Sequence, residues 1–272
     1  MNQFATFAAP TQPATAGKAR LFDIDIDNVT MGQAVARIDQ LVQEKKNAYV
    51  VTPNVDHVMK LQADSAFREI YRGASLVIAD GMPLIWASKL LKRPLKERVT
   101  GADLFPEVCK LAAQKGYRVY LLGANEGVAH KAALKLREMF PGLVICGTYS
   151  PSFGFEKNAE ENERILAMLR EAKPDILFVG VGAPKQEKWI YRYRDQYSIP
   201  VALGVGASFD FIAGTIQRAP KWMQDTGLEW FYRFMMEPKR LFRRYFIDGS
   251  QFLTLTLKEW RLSKTEKNAE RA

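Results

Sequence analysis

The chain has 272 residues, 47% of them hydrophobic and 25% charged, the ordinary composition of a soluble globular protein with one large or two modest domains. Its net charge of +9 suits an anionic partner, whether nucleic acid, a phosphorylated substrate or an acidic membrane surface, without choosing among them. No apolar run approaches the roughly 18 residues of a spanning helix, the start lacks a signal-peptide layout, and Cys109 and Cys146 fit reduced thiols in buried elements rather than a metal or disulfide framework, which points to the cytoplasmic side.

Residues 1–19 are rich in Ala, Thr, Pro and Gln and read as a disordered lead-in. From Leu21 to Asp27, apolar residues alternate with Asp23, Asp25 and Asp27, as in a half-exposed strand. The D-x-D pattern superficially resembles a metal motif, but period-two acids on an edge strand mark its solvent face. Thr30 and Gln33 form a capping box for a helix over residues 31–46. Strand patterns follow at Ala48–Thr52, Ser75–Ala79, Tyr117–Leu122, Leu143–Thr148, Asp175–Val181 and Val201–Val205, separated by helical patterns. Such alternation predicts an α/β fold, a Rossmann-like and mostly parallel sheet flanked by helices, over residues 20–214. Composition then shifts. Between Arg218 and Tyr245, seven basic residues against three acidic ones interleave with Trp222, Trp230, Phe231, Tyr232, Phe234, Met235, Met236 and Phe242. This stretch belongs to a C-terminal amphipathic helical appendage over residues 215–262, with a break at Pro238 and a frayed tail over 263–272. Its bland meaning is a packing helix with a solvated face. A membrane-docking surface is the alternative.

In open parallel sheets the ligand crevice lies beyond the carboxyl ends of the strands, so the residues at those ends carry the functional signal. Thr52 and Asn54 leave the first buried strand, where a helix-capping role competes with ligand binding. His57, in the next helix, reads as structural. Asp80 precedes Gly81 and Pro83 and is either a turn carboxylate or a catalytic base. Arg98 can hold a diphosphate through its planar fork, or pair with Glu97 or Asp103 at the surface. The turn Gly123 to Gly127 opens a helix whose amides can face an anion. The segments beginning Gly180-Val181-Gly182 and Gly204-Val205-Gly206 bring backbone close to a partner and then place Gln186, Glu187 and Asp210 on the ensuing helices. Lys185 and Phe209 stand where a third glycine of a dinucleotide fingerprint would be, and no acid is clearly placed for a ribose, which weakens a nicotinamide-dependent dehydrogenase. A basic nucleic-acid-binding protein is the non-enzymatic alternative.

Taken together, Thr52-Pro53-Asn54, Ala79-Asp80-Gly81-Met82-Pro83, Arg98 through Asp103, Gly182 through Glu187, Gly206 through Asp210 and the arginine-bearing tail resemble the WecG/TagA/CpsF family of bacterial glycosyltransferases, over about residues 21–245. The resemblance implies an inverting, metal-independent and cofactor-free transfer from a UDP-sugar to an undecaprenyl-diphosphate-linked acceptor. It places such an enzyme peripherally on the inner face of the bacterial membrane, against anionic lipid, in surface polysaccharide synthesis. In family members the donor sugar is N-acetylmannosamine, its uronic acid or a hexose such as glucose. By the same resemblance Asp80 is the catalytic acid or base, with Thr52 and Gln186 beside it. Asn54, Arg98, Gly123, Gly182, Gly206 and Asp210 border the donor, and Arg233, Arg240 and Arg243 meet the acceptor diphosphate. No nucleic-acid partner is implied, and either a monomer or a homo-oligomer is permitted.

Overall fold

The computed structural model describes residues 17–269. Most of the expected lead-in lies outside them, but Lys18 and Ala19 already belong to a strand. The single strand expected over residues 21–27 is instead the second half of a hairpin, β1 (Lys18–Leu21) against β2 (Ile24–Asp27). Its two-residue turn, Phe22 and Asp23, has φ of 52° and 62°. A turn with both central residues at positive φ normally signals itself by Asn-Gly or Gly-Gly, and here it does not. Asp23 and Asp25 face Arg20, Asp27 faces Lys18, and Asp27 Oδ2 also accepts from Val77 N at 2.8 Å.

A six-stranded parallel sheet follows. Its strands are β3 (Ala48–Val51), β4 (Leu76–Val77), β5 (Arg118–Gly123), β6 (Val144–Tyr149), β7 (Ile176–Gly180) and β8 (Val201–Gly204), in the order β4-β3-β8-β7-β5-β6. Strand β4 is shorter than its apolar run, yet beyond it Ile78 N still reaches Val51 O and Asp80 N reaches Pro53 O at 2.8 Å, so the chain stays in register up to the acid. Helices α1 (Met31–Glu44), α5 (Gly101–Lys115), α6 (Val128–Met139) and α9 (Ser208–Ala213) cover one face, where the Phe105 and Phe178 rings meet edge to face at 4.6 Å. Helices α2 (Val55–Ala63), α3 (Ser65–Arg72), α4 (Met82–Leu90), α7 (Ala159–Ala172) and α8 (Lys185–Tyr197) cover the other. The predicted capping box opens α1, with Thr30 Oγ1 accepting from Gln33 N and Gln33 Oε1 from Thr30 N. Because β3 and β7 lead into helices on one face and β8 into a helix on the other, the chain parts on both sides of β8, which is where a crevice forms in such sheets.

Beyond the sheet run α10 (Lys221–Asp225), α11 (Glu229–Met236), α12 (Pro238–Phe242), a π-helical turn (Arg243–Ile247) and α13 (Asp248–Ala269). The break expected at Pro238 is present. Helix α13 turns back onto the body and continues to Ala269, into the tail expected to fray, whose last residues, 270–272, lie outside the described residues. Phe252, Leu255, Thr256, Glu259 and Trp260 recur at helical spacing along the side that meets the hairpin and α2, with Phe252 5.0 Å from the Phe22 ring and Glu259 accepting from Phe22 N. Cys109 is buried, whereas Cys146, on the edge strand β6, is only half-buried.

Candidate active site

Asp80 sits where the chain leaves the β4 side of the sheet, between two anchored backbone segments: Asp80 N donates to Pro53 O, and Val99 N to Ala79 O. Its Oδ2 accepts from Gly101 N, the first residue of α5, at 3.4 Å. Burial raises the carboxyl above its usual range and the Glu229 charge adds to this, while the Gly101 N–H, Arg98 and His57 oppose it. A carboxylate kept reluctant to ionise is a better proton acceptor near neutrality than an ordinary Asp. Thr52 is buried next to it, with Oγ1 3.5 Å from the point where a Cβ on Gly101 would stand.

Asn54 caps α2. Its Oδ1 accepts from His57 N at 3.4 Å and lies 2.8 Å from His57 Nδ1, and the other ring nitrogen of His57 stands 3.4 Å from Glu187 Oε1. The neighbouring Gln186 is 3% exposed and fully engaged. Its Oε1 accepts from Gly182 N at 3.2 Å and from Gly206 N at 3.1 Å, and its Nε2 donates to Glu187 Oε1 at 2.8 Å. One buried amide therefore clasps both glycine turns. The N–H groups of Gly182 and Gly206 are thus spent on Gln186 rather than turned into the crevice. Ala124 N, in the Gly123 turn, is likewise spent on Gly180 O. At the strand ends glycine supplies closeness, since a Cβ on Gly123 would fall 2.6 Å from the Gly180 backbone, whereas Gly182 and Gly206 have open space around them and supply positive φ of 82° and 55°.

These turns floor a cavity of about 950 Å³ beyond the ends of β5 to β8, bordered by Gly182, Lys185, Gly206, Asp210, Arg164 and Arg240 among others. Its far wall is the loop after β6, tied down by Glu161, which accepts from Ser152 N and Ser152 Oγ and is thereby held below the ordinary carboxylate range. Asp210 borders the cavity and takes a hydrogen bond from Thr215 Oγ1. Asp80, Thr52, Asn54 and Arg98 are not among its lining residues. They stand on the β3–β4 side, joined to it through Gly101, which packs against Val205 just ahead of Gly206.

The tail approaches from this second side. Arg98 pairs with Glu229 of α11 rather than with Glu97 or Asp103. Glu97 instead accepts from Met31 N, and Asp103 is held by Arg218 in a two-pronged contact of 2.6 and 3.0 Å. Of the three predicted tail arginines, Arg240 lines the cavity while paired with Glu237, Arg233 lies 5.7 Å over the Phe211 ring, and Arg243 occupies the π-helical turn. Glu229 and Arg218 gave no warning in the sequence, because each looked like one more charge in a mixed run. On the outside of the tail Trp222, Phe231, Met235, Met236, Phe242 and Phe246 are exposed, near the equally exposed Trp86 of α4, against which Gly227 packs. Among the described residues no helix is long and apolar enough to cross a membrane, and no group of three His, Cys, Asp or Glu is placed to hold a metal ion.

A parallel α/β fold with a crevice at the carboxyl edge, a carboxyl raised above its usual range beside it and a wide polar cavity next to it is the setting of a group-transfer enzyme, and the family match makes it a glycosyltransferase. The chain belongs to the family described as glycosyl transferase WecG/TagA/CpsF, whose model matches residues 19–266. It is 34% identical over 228 residues, 83% of this chain and 87% of the relative, to an N-acetylglucosaminyldiphosphoundecaprenol N-acetyl-beta-D-mannosaminyltransferase of Staphylococcus aureus strain MW2. The same identity and coverage hold for proteins of that name in strains NCTC 8325 and MRSA252.

Proposed function

We propose that this enzyme transfers a sugar of the N-acetylmannosamine type from a UDP-sugar to a sugar carried on undecaprenyl diphosphate, with inversion, at the inner face of the cell membrane. The observation that carries this is Asp80: a carboxyl held above its usual range at the crevice edge, with the wide polar cavity beyond β8 on one side and the arginine-bearing tail on the other. The donor occupies the cavity, with Asp210 and the loop after β6 toward the nucleoside and Arg98 toward the diphosphate. Asp80 accepts the proton of the acceptor hydroxyl as that oxygen bonds to the anomeric carbon. The bond from that carbon to the diphosphate oxygen breaks with its electron pair, so UDP departs from the opposite face. Base assistance of this kind contributes about 10²–10⁴ in rate, and cations aimed at the departing diphosphate add electrostatic stabilisation. Thr52 and Asn54 hold the reacting groups. Gln186 acts one step back, fixing the two glycine turns. Arg233, Arg240 and Arg243 receive the lipid diphosphate, and the exposed aromatic and methionine side chains of the tail enter the headgroup region while its cations meet anionic lipid.

The test is incubation with a panel of UDP-sugars and a short-chain diphospholipid bearing N-acetylglucosamine, read by product mass. Addition of one N-acetylhexosamine, lost in Asp80→Asn, is the expected result. No transfer from any UDP-sugar, with no binding of UDP by calorimetry, overturns the assignment.

A further inference from the structure

Helix α11 buries none of its residues, so its hold on the catalytic body rests on a few side chains. The chief polar one is Glu229, set between two guanidinium groups. Its Oε1 accepts from Arg218 Nε at 3.2 Å, and its Oε2 faces Arg98 Nη1 at 3.6 Å, with both Arg98 and Glu229 side chains 16% exposed. The two arginines differ in how they are held. Arg218 grips Asp103 with both prongs, and Asp103 is braced by Thr100 Oγ1 at 2.7 Å, so Arg218 keeps its place whether or not Glu229 is there. Burial alone would raise the Asp103 carboxyl, yet Arg218 holds it below its usual range, as a committed ion pair requires. Arg98 has only Glu229 as an ion-pair partner among the described residues, at a distance beyond good hydrogen bonding. Its fork of five N–H donors is matched far better by a phosphate with several acceptor oxygens than by one distant carboxylate oxygen.

The position of this pair adds a second reason. Asp103 and Gly101 share the first turn of α5, and Gly101 N is the donor to Asp80, so the two arginines flank the segment that holds the catalytic carboxylate. The Glu229 charge reaches that carboxylate and pushes its titration upward, so departure of Glu229 would be felt there.

We propose that Glu229 is a tethered stand-in for a diphosphate: it fills an anion site formed by Arg98 and Arg218 in the empty enzyme, and a diphosphate binding there displaces it and frees the start of α11. The proposal rests on the transferase reading only in taking the ligand to be a diphosphate, a chemistry common to the nucleotide donor and the lipid-linked acceptor. Displacement makes the coupling reciprocal, since whatever loosens α11 must tighten diphosphate binding by the same factor.

The full-length wild type and Glu229→Gln are compared by calorimetry with UDP, inorganic pyrophosphate and a short-chain prenyl diphosphate, and by trypsin cleavage in the tail around Arg233 and Arg240. Matched thermal unfolding, or partial return of wild-type behaviour in Glu229→Asp, guards against a folding defect. In the wild type at least one diphosphate should speed tail cleavage. Glu229→Gln should be cut quickly without ligand, gain nothing from ligand, and bind that diphosphate about 5-fold tighter or more, at the low end of ordinary coupling. A response to UDP places the site on the donor's path, and a response to the prenyl diphosphate alone places it on the acceptor's. Diphosphate binding that leaves tail cleavage unchanged in both proteins, or is no tighter in Glu229→Gln, overturns the proposal and leaves the transferase reading standing. A wild type that ignores UDP but answers to pyrophosphate with faster tail cleavage keeps the proposal and removes the donor assignment.

Discussion

The two sides of the crevice are built on opposite plans. On the β5–β8 side the floor is backbone, with strand ends in van der Waals contact, glycine turns closed by a single buried amide and a loop stitched down by Glu161. On the tail side the wall is side chains, with arginines paired to carboxylates and a helix that buries nothing while exposing Phe231, Met235 and Met236. The first plan yields a shape that exists before any ligand arrives and costs little to order on binding. The second holds cations in interim partnerships that a stronger anion can replace. The proposed reaction needs both: a nucleotide site that is always ready, and an acceptor site that is completed only when a lipid diphosphate is present.

The sharpest way to separate chemistry from both walls is Asp80→Asn, which removes the proposed base but neither wall. Turnover should fall about 10²–10⁴-fold with UDP affinity retained. The acid limb of kcat/KM in the wild type should lie above the ordinary carboxyl value of 3.8, because burial favours the protonated form. The same shift fixes the sign of its stability effect. Below 3.8 the group is neutral in both states; as pH rises through the raised native value the unfolded chain ionises freely while the folded one resists, and stability is lost. Asp80→Asn should therefore melt higher than the wild type at pH 7, with the gain vanishing below pH 3.8. An unchanged rate would remove Asp80 from the chemistry.

Gln186→Ala attacks the rigid wall alone. It leaves the N–H groups of Gly182 and Gly206 without their partner and strands Glu187, which is 1% exposed. Because Gly182 and Gly206 border the cavity, water can take up their N–H groups, and the cost falls mainly on buried Glu187, so a loss of about 1–3 kcal/mol in urea unfolding is expected, together with weaker UDP binding. A stable variant with slow turnover and normal UDP affinity would instead put Gln186 in contact with the reacting groups.

Phe252→Ala asks how far the tail is a separate device. Because Phe252 packs on Phe22 at the hairpin turn, about 3 kcal/mol of stability should be lost in urea unfolding, although the residue lies well beyond the exposed helices. A truncation near residue 214 would uncover the same surface and so is a poor test of membrane docking.

How much of this was legible in the sequence follows from where each signal resides. Five of the six parallel strands announce themselves as short apolar runs, because both faces of the sheet's interior are buried and the pattern needs no partner to be read, while the half-buried edge strand β6 carries a weaker apolar run. The place of Asp80 at the crevice edge is legible for a related reason, since an acid that ends such a run falls at the carboxyl edge of the sheet, although the run alone does not separate a turn carboxylate from a base. The hairpin turn was missed because Phe22 and Asp23 adopt positive φ without a glycine to mark it, and a two-residue turn leaves the alternation on either side unbroken. The stripe on α13 was masked by its mixture of Thr256 and Glu259 with apolar residues, which makes sense only once Phe22 N is known to need an acceptor. Gln186 could be placed by position at the strand ends, but whether its amide faces the crevice or the backbone is decided by the distance between two turns 24 residues apart in the chain. Glu229 is the extreme case, since nothing in a mixed run tells which carboxylate will meet which arginine.

The smallest structural effect belongs to the outermost residues of the soft wall. Met235 and Met236 are 63% and 62% exposed, so replacing both with Ser removes almost no buried contact and should shift folding stability by less than about 0.5 kcal/mol each. Activity on a soluble short-chain acceptor should also hold, since neither residue borders the cavity. Flotation with anionic vesicles, in contrast, should weaken, because two apolar side chains that enter the headgroup region are lost while every cation of the tail is kept. Charge and apolar burial act together in such binding, so raising the salt concentration should weaken the double variant more than the wild type. Vesicle binding that is unchanged in the variant at low and high salt would show that the exposed methionines do not meet lipid, and would leave the arginines of α11 and α12 as a local anion site rather than part of a docking face.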